Sequence, residues 1–207
     1  EQTKRIRQDL EDLGIEEIES DSFHARKSLA YTLSYLFKDQ DQVTFTEEFR
    51  HLAHDLTHPE DFPMKPLNIK AELRDYQKKG IQWFQMLHHY GFGGILADDM
   101  GLGKTLQAIA FLSSQLKDDS RVLILAPSGL IYNWADEFEK FAPDIDVAVV
   151  HGLKPYRETV LAENHQIYLT SYATFRQDSD VYNRMSFDFL FLDEAQVMKN
   201  SQTKIAK

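Results

Sequence analysis

The feature that most constrains the fold is the stretch GGILADDMGLGKT, which occupies residues 93–105. Its apolar part, residues 94–97, predicts a short buried strand, and the glycine-bearing loop after it predicts a turn into a helix that starts at residues 103–105. Such a helix start gathers free backbone N–H groups at the positive end of the helix dipole, where an oligophosphate binds. The stretch therefore predicts an α/β fold with a phosphate-binding loop.

Two side chains of this loop suit a nucleotide. Lys104 is placed to reach the β- and γ-phosphates, and the Thr105 hydroxyl is placed to bind Mg²⁺ between them. Asp98 stands where the strict pattern G-x-x-x-x-G-K-[ST] has its first glycine, so a plain glycine-rich turn is the alternative interpretation. The nucleotide site is favoured because Asp193 and Glu194 follow a later apolar strand. There Asp193 would hold Mg²⁺ and Glu194 would deprotonate the attacking water, unless both are simply surface acids.

The composition is that of a globular protein. Of 207 residues, 43% are hydrophobic and 12% aromatic, which supports one or two domains. No apolar run approaches the length of a membrane span, so we expect no membrane partner. Because the chain has no cysteine and no signal-peptide pattern, we expect it to be located in the cytoplasm, at the nucleoid if the chain is bacterial. The nucleus is the alternative location. The formal net charge of −10 argues against a strongly basic surface for binding nucleic acid, but a local basic strip is compatible with it.

The first 66 residues differ from the rest in charge and pattern. Residues 1–66 carry 8 Lys and Arg against 15 Asp and Glu, whereas residues 67–207 carry 15 against 18. Apolar side chains at helical spacing predict three amphipathic helices, over residues 1–20, over residues 23–37 and after Thr46. The histidines of the third helix are interpreted as solvated, with no metal. Prolines near residues 58–68 predict a linker, so we predict an upstream helical segment before the α/β lobe.

From residue 67 onward, apolar strands alternate with helical patterns, which predicts a mostly parallel sheet between helices, with right-handed crossovers. The predicted strands after the phosphate loop are residues 121–126, 145–150, 166–170 and 187–193, and the predicted helices are residues 75–90, 104–116, 130–141 and 155–164. Ligands bind such a sheet at the carboxyl ends of its strands. The phosphate loop, Ser128, Thr170 and Asp193 all fall at those ends, so we expect one shared site.

Five motifs, in the same order, resemble those of the Snf2 family of superfamily 2 helicase-like ATPases, which are DNA translocases. They are LRDYQKKGIQWF (residues 73–84, a Q-type motif), LADDMGLGKT (96–105, motif I), LAPSGLIYNWADEF (125–138, motif Ia), LTSYATF (169–175, motif Ib) and LDEAQVMKN (192–200, motif II). Motif I of this family also carries an acid at the first glycine, which accounts for Asp98. Motif II departs in one place, because Gln196 stands where many members have histidine, and this variant looks more like the microbial branch.

The resemblance implies a RecA-like P-loop NTPase lobe that binds ATP and Mg²⁺ and works with a second RecA-like lobe of the same polypeptide. Gln77 would read the adenine edge, and Gln196 would couple the nucleotide site to the second lobe. The nucleotide would be held by Asp99, Met100, Gly101, Leu102, Gly103, Lys104 and Thr105. The backbone of double-stranded DNA would be held, without reading its sequence, by Ser128, Gly129, Thr170 and Ser171.

The leading hypothesis is therefore the first lobe of a double-stranded-DNA-dependent ATPase and translocase. A strand-separating DNA or RNA helicase and a nucleotide-binding switch or scaffold are the alternatives. The chain ends at Lys207, before the implied second lobe, so we expect it alone to bind nucleotide weakly and to hydrolyse it very slowly. We interpret Trp134 as a core residue rather than a base-stacking platform and Arg157 as a solvated helix charge rather than a groove residue. Tyr172 is open between core packing and DNA contact.

Overall fold

The computed structural model describes residues 2–15, 22–38, 40 and 43–198. Contacts divide the chain into two compact units. The helical unit comprises the described residues of Glu1–Pro63 together with Met86–Phe92, and the sheet unit comprises those of Met64–Gln85 and Gly93–Lys207. In the described part of the chain, no helix is both long and apolar enough to cross a membrane.

The helical unit contains α1 (Gln2–Asp12), α2 (Ala30–Leu36) and α3 (Glu47–Thr57), with short 3₁₀ turns at Lys27–Leu29 and Pro59–Asp61. Its core is an apolar cluster formed by the buried residues Leu10, Ile15, Leu33 and Phe37. The helix predicted over residues 23–37 is too long, because Arg26 has an extended backbone and the α-helix begins only at Ala30. Thr46 precedes α3 as predicted, and its Oγ1 caps the helix by accepting a 3.2 Å hydrogen bond from the N–H of Phe49.

Helix α4 (Asp75–Tyr90) begins and ends where the sequence predicts. Its first turns belong to the sheet unit, and its last residues belong to the helical unit. Within the helical unit, the Tyr90 hydroxyl donates a 2.6 Å hydrogen bond to Asp55 Oδ2 of α3. Burial, and after it this neighbouring carboxylate, raises the pKa of Tyr90 to about 12.

The sheet unit is built on parallel strands, and those described are β1 (Val122–Ala126), β2 (Val147–Val150), β3 (Ile167–Ser171) and β4 (Phe189–Leu192). Their order is β2-β3-β1-β4. The pairing places Ile124 of β1 beside Leu169 of β3 and Phe191 of β4. The predicted α/β fold is confirmed, with a sheet that is parallel throughout its described strands. Every residue of the inner strand β1 is buried, as expected for a strand with both faces covered.

The remaining helices are α5 (Lys104–Gln115), α6 (Ile131–Phe141), α7 (Lys154–Ala162), α8 (Tyr172–Gln177) and α9 (Ser179–Tyr182). One face of the sheet packs on α5 and α6, where Ile109, Ile124 and Phe138 share a core cluster. The alternate residues of β1 point to the opposite face, where Leu123 packs with Tyr168 and side chains of α7. The sheet therefore has a hydrophobic core on each side.

The prediction of a buried strand before the phosphate loop is wrong. Residues 94–97 form no strand, and Ile95 is 87% exposed. A strand requires a neighbour for its backbone N–H and C=O groups, and none of the described strands pairs with these residues. β4 lies at the end of the described strand order, and Leu190 and Leu192 remain 59% and 40% exposed there. An apolar sequence thus becomes a buried strand only where partners cover it.

Candidate nucleotide site

The phosphate loop has the backbone shape that its glycines allow. Gly101 and Gly103 have φ angles of 83° and 76°, in the left-handed region. Gly103 is the N-cap of α5 and, having no side chain, leaves the first N–H groups of the helix uncapped. Lys104 Nζ donates to the carbonyl oxygens of Asp98 at 2.8 Å and Asp99 at 3.0 Å. The helix start and the lysine therefore place donors and positive charge together, which suits an oligophosphate.

The start of α4 contacts the same loop. Tyr76 Oη and Gln77 Nε2 both donate to the carbonyl oxygen of Leu102, each at 3.2 Å. Gln77 Oε1 accepts from the N–H of Arg74 at 2.9 Å, so both ends of the amide are occupied within the protein. A Cβ at Gly103 would lie 2.6 Å from Gln77 Nε2, so a larger residue there would displace the Gln77 amide from Leu102, in addition to straining a backbone with positive φ. The structure joins Gln77 to the loop, and its contact with adenine stays a prediction.

A buried glutamine is the partner of the acid at the first glycine position. Gln107 is fully buried, and its Nε2 donates to Asp98 Oδ2 at 3.3 Å. α4 lies so close that a Cβ at Gly80 would collide with Gln107 Oε1. Sequence reasoning missed Gln107, because nothing in the helical pattern shows that its amide faces the loop. Asp98 therefore has a structural role that the loop pattern alone does not reveal.

Asp193 lies directly after β4 and is held by three hydrogen bonds to other elements. Its N–H donates to the carbonyl oxygen of Leu125 at 2.8 Å, next to the β1–β4 pairing. Its Oδ2 accepts from Trp134 Nε1 of α6 at 2.9 Å, and its carbonyl oxygen accepts from the Tyr172 hydroxyl of α8 at 2.7 Å. Trp134 is buried in the core as predicted, and Tyr172 is also a buried residue. Sequence reasoning missed that both aromatic side chains bind Asp193.

The acids after β4 help to raise the pKa values of neighbouring titratable groups. Burial, with Asp193 and then Glu194 adding to it, raises the pKa of Tyr172 to about 12. Burial also raises the pKa of Glu137 on α6, where a nearby lysine opposes the shift and Asp193 reinforces it. Glu194 has a φ of 51°, which is uncommon for a residue with a Cβ, and its carboxylate accepts a hydrogen bond from Gln196 Nε2. These acids favour a bound cation at this end of the sheet.

The four predicted DNA-contact residues separate into two pairs. Ser128 and Gly129 lie in an exposed turn between β1 and α6. Thr170 and Ser171 are 0% and 3% exposed. The Thr170 hydroxyl donates to a carbonyl oxygen of β2 at 2.9 Å, and Ser171 Oγ caps α8 by accepting from the N–H of Thr174 at 3.1 Å. The hydroxyl contacts predicted for Thr170 and Ser171 are therefore not available in the structure, because these groups hold β3 and α8 in place.

The interpretation of Arg157 as a solvated helix charge is wrong. Arg157 is 7% exposed, and its Nε and Nη2 donate to the two carboxylate oxygens of Asp178 at 2.6 and 2.8 Å. Its Nη1 donates to the carbonyl oxygen of Gly152. The hydrogen bonds that Arg157 donates to Asp178 are the main cause that raises the pKa of Arg157. The pair joins the turn after β2 to the end of α8, and no local pattern in the sequence connects the two residues.

The hydrogen bonds of the site therefore form two groups. The loop group is centred on Lys104 and Gln77, and the acid group on Asp193. Asp193 and Thr105, the second residue of α5, offer the oxygen ligands that Mg²⁺ prefers. At nucleotide sites this ion is bound by few protein ligands besides phosphates. Among the described residues, no cluster of three or more His, Asp and Glu could hold a metal by itself. The oxygen ligands of Asp193 and Thr105 are of the type that suits Mg²⁺, and the sharing of this ion between the two groups stays a prediction.

Comparison with known proteins identifies the family. The sequence profile of the SNF2-related domain matches residues 76–207, which include both groups of the site. The chain belongs to the SNF2-related family. A second profile, described as bacterial SNF2 helicase associated, matches residues 1–66. The resemblance drawn from the five motifs is confirmed.

Curated relatives of this SNF2-related chain are much longer than it is. The putative ATP-dependent helicase/translocase YwqA of Bacillus subtilis is 38% identical over 172 residues, covering 79% of this chain and 18% of the relative. The TATA-binding protein-associated factor MOT1 of Saccharomyces cerevisiae is 40% identical over 158 residues, covering 69% of this chain and 8% of the relative. The chain thus spans less than a fifth of the length of either protein.

A solved structure shows the same fold. The SWI2/SNF2 ATPase core of Sulfolobus solfataricus in complex with dsDNA is similar with a TM-score of 0.61 and 41% sequence identity. The match covers 69% of this chain and 30% of that one. A second structure, of the Sulfolobus solfataricus SWI2/SNF2 ATPase core domain, is similar with a TM-score of 0.57 and 40% sequence identity. The SNF2-related chain therefore has the RecA-like α/β fold that its motifs predicted.

Proposed function

We propose that this chain is the first ATP-binding lobe of a double-stranded-DNA-dependent ATPase that translocates along the duplex. The observation that carries the proposal is the loop group, in which an uncapped helix start and two left-handed glycines surround Lys104. The similarity of the chain to an ATPase core solved in complex with dsDNA supports the proposed binding of DNA. The helicase/translocase relative from Bacillus subtilis supports the translocation part.

ATP is bound through its phosphates at the loop group. Lys104 exchanges the carbonyl oxygens of Asp98 and Asp99 for phosphate oxygens, because a charged acceptor makes the stronger hydrogen bond. The N–H groups at the start of α5 bind the remaining phosphate oxygens. Gln77 lies beside the loop, where it reads the adenine edge while its contact with Leu102 keeps the loop in position.

Thr105 and Asp193 would hold Mg²⁺, which neutralises charge on the phosphates when bound. Asp193 offers Oδ1 for this purpose, because Oδ2 accepts from Trp134. Glu194 orients the attacking water and accepts its proton. Gln196, which donates to Glu194, couples that carboxylate to the second RecA-like lobe of the same polypeptide.

The exposed turn of Ser128 and Gly129 is the proposed contact with the phosphate backbone of one DNA strand. Contacts to phosphates carry no sequence information, which suits an enzyme that moves along any sequence. Closure of two lobes around ATP and their reopening after hydrolysis would move one lobe along the duplex without separating its strands.

The upstream segment, residues 1–66, is proposed to be a separate helical part that precedes the lobe of residues 67–207. The match of a separate profile to residues 1–66 supports this division. The description of that profile as bacterial also supports the cytoplasm, at the nucleoid, as the place where the protein works.

The test uses the full-length polypeptide that carries this lobe together with its second lobe. We expect duplex DNA of any sequence to stimulate ATP hydrolysis, displacement of a triplex-forming strand to report translocation, and duplex strands to remain paired. Glu194→Gln should remove hydrolysis and retain ATP binding. Strand separation would favour a helicase, and tight ATP binding unaffected by DNA would favour a nucleotide-binding switch. Residues 1–207 alone should hydrolyse ATP very slowly, and robust stimulation by DNA would contradict the need for a second lobe.

A further inference from the structure

Asp193 is held by aromatic side chains from two helices that each follow a strand. Trp134 belongs to α6, which begins just after the exposed turn that follows β1. Tyr172 begins α8, directly after the last residue of β3. The exposed turn after β1 and the end of β3 are thus each connected, through one helix, to the acid that would hold Mg²⁺.

The indole N–H of Trp134 makes its contact specific. Trp134 is 5% exposed and packs in one core cluster with Ile124 and Phe138. A phenylalanine would fill such a position without a polar atom, whereas a buried indole N–H requires an acceptor. Here the acceptor is a carboxylate oxygen, and a charge-assisted hydrogen bond of this kind is stronger than one to a neutral group. Trp134 therefore does more than fill the core.

The two hydrogen bonds fix different parts of Asp193. The bond from Trp134 to Oδ2 sets the direction of the carboxylate and leaves Oδ1 for a metal. The bond from the Tyr172 hydroxyl holds the carbonyl oxygen and therefore the backbone after β4. Hydrogen-bond partners of a metal-binding carboxylate orient it, and their loss lowers metal affinity or activity about 10–100-fold.

We propose that Trp134 and Tyr172 are positioning residues: Trp134 couples the exposed turn after β1 to the orientation of the Asp193 carboxylate, and Tyr172 holds the backbone of Asp193 against α8. A DNA backbone that displaces the turn of Ser128 and Gly129 shifts α6, and the hydrogen bond from Trp134 passes this shift to the Asp193 carboxylate while the bond from Tyr172 keeps the Asp193 backbone in place. DNA binding then changes the affinity of the site for Mg²⁺ with nucleotide. The inference rests on the proposed function, because it assumes that nucleotide binds at Lys104 and DNA at the turn of Ser128 and Gly129.

Tryptophan fluorescence tests the proposal without measuring hydrolysis. Residues 1–207 contain two tryptophans, Trp83 and Trp134, so the experiment uses this chain, in which Trp83→Phe leaves the emission of Trp134 as the only tryptophan signal. Binding of Mg²⁺–ADP offsets the negative charge beside the indole N–H, and we expect the emission maximum of Trp134 to shift to shorter wavelength. Duplex DNA added first should change the Mg²⁺ concentration at the midpoint of this shift. Trp134→Phe, which keeps Trp83, is the control and should show neither effect.

Binding of a fluorescent ATP analogue at a series of Mg²⁺ concentrations gives the second measurement. Trp134→Phe and Tyr172→Phe each remove one hydrogen bond and keep an aromatic ring. We expect the Mg²⁺ concentration at half-saturation to rise about 10–100-fold in Trp134→Phe and less in Tyr172→Phe, which acts on the backbone. Tyr132→Phe is the matched control, because Tyr132 is on α6 and is 55% exposed. It should leave the Mg²⁺ dependence unchanged.

The outcomes separate this inference from the proposed function. If the parent protein binds no nucleotide in the presence of Mg²⁺, the proposed function fails. If it binds nucleotide but the Trp134 emission does not respond and Trp134→Phe keeps its Mg²⁺ dependence, the inference is overturned and the function stands. An equal loss of nucleotide binding at every Mg²⁺ concentration, with a lower unfolding midpoint, would also overturn the inference, since it would show that Trp134 only supports the core.

Discussion

The two groups of the candidate site are held in different ways. The loop group takes its shape mainly from local backbone, with two glycines at positive φ and a lysine that bonds to carbonyl oxygens five and six residues before it, and Gln77 of α4 adds a contact from 25 residues away. The acid group depends on distant partners, because Trp134 and Tyr172 are 59 and 21 residues from Asp193 in sequence. A short motif can specify the loop backbone and the position of Lys104, whereas the acid group exists only when the complete sheet unit has folded.

This difference predicts how substitutions in each group change nucleotide binding and the free energy of unfolding. A substitution in the loop should remove nucleotide binding while the rest of the molecule stays folded, because few distant contacts depend on the loop. A substitution among the supports of the acid should lower the free energy of unfolding as well, because the same side chains hold the helices against the sheet. Measuring binding and stability together on each variant tests the comparison.

The largest effect on binding is expected from Lys104→Ala. Loss of one charged partner of the phosphates costs about 2–5 kcal/mol, or roughly 30- to several-thousand-fold in the dissociation constant of ATP. The urea unfolding midpoint should stay close to that of the parent, because the lysine contacts only loop carbonyls. Lys154→Ala is the control, since Lys154 forms only an exposed ion pair with Glu158. ATP binding that survives in Lys104→Ala would place the nucleotide elsewhere.

Arg157→Ala should have the largest effect on stability. It leaves the buried carboxylate of Asp178 without its ion-pair partner, which costs about 3–5 kcal/mol. α8, which carries Tyr172, loses its link to the turn after β2. Lys154→Ala, in the same helix, breaks an exposed pair and should cost at most about 1 kcal/mol. Similar unfolding midpoints for the two variants would contradict the role assigned to the buried pair.

The fold was predictable from the sequence where strands have neighbours on both sides. β1 and β3 lie close to their predicted bounds, since continuous apolar runs of this length suit strands covered on both faces. Residues 94–97 have a similar apolar character and form no strand, and β4 is covered only in part. Pairing is a property of the whole sheet, so the sequence of one segment does not show whether its neighbour is present.

The part of the site that local contacts hold was predictable from the sequence, and the part that distant partners hold was not. The glycines and Lys104 follow from the motif and the left-handed turns that it requires. The partners Gln107 and Trp134 do not, because a buried polar atom in an otherwise apolar pattern has no signal beyond the residue type. The burial of Thr170 was missed for a related reason, since a hydroxyl at a strand end suits an internal hydrogen bond as well as a DNA phosphate.

Gly103→Ala should have a smaller effect, and this effect should appear in both the stability of the chain and its affinity for ATP. Alanine at a φ of 76° is strained, and its Cβ would press on Gln77 Nε2, 2.6 Å away. Together these should cost about 1–3 kcal/mol of stability and weaken nucleotide binding by displacing the helix start. Gly93→Ala is the matched control, because a Cβ at Gly93 meets no atom within 4 Å. A fully stable Gly103→Ala variant with parental ATP affinity would show that the loop tolerates a different backbone.

The smallest effect is a pH dependence that the acid group should share with the helical unit. The pKa values of Tyr172 and Tyr90 are both raised from 10.0 to about 12, in each case chiefly by burial. Each folded tyrosine therefore keeps its proton at a pH where the unfolded chain has lost it, so its contribution is fully present below pH 10 and is lost as the pH rises to about 12. Urea unfolding followed across this range should show stability falling with pH. Tyr172→Phe and Tyr90→Phe should each show a shallower fall of stability with pH. At neutral pH, Tyr172→Phe should be less stable than the parent by roughly 1 kcal/mol, because it loses the hydrogen bond to Asp193. An unchanged slope in Tyr172→Phe would mean that its hydroxyl is not held in the acid group, and the contrast between the local loop and the distantly supported acid would then depend on Trp134 alone.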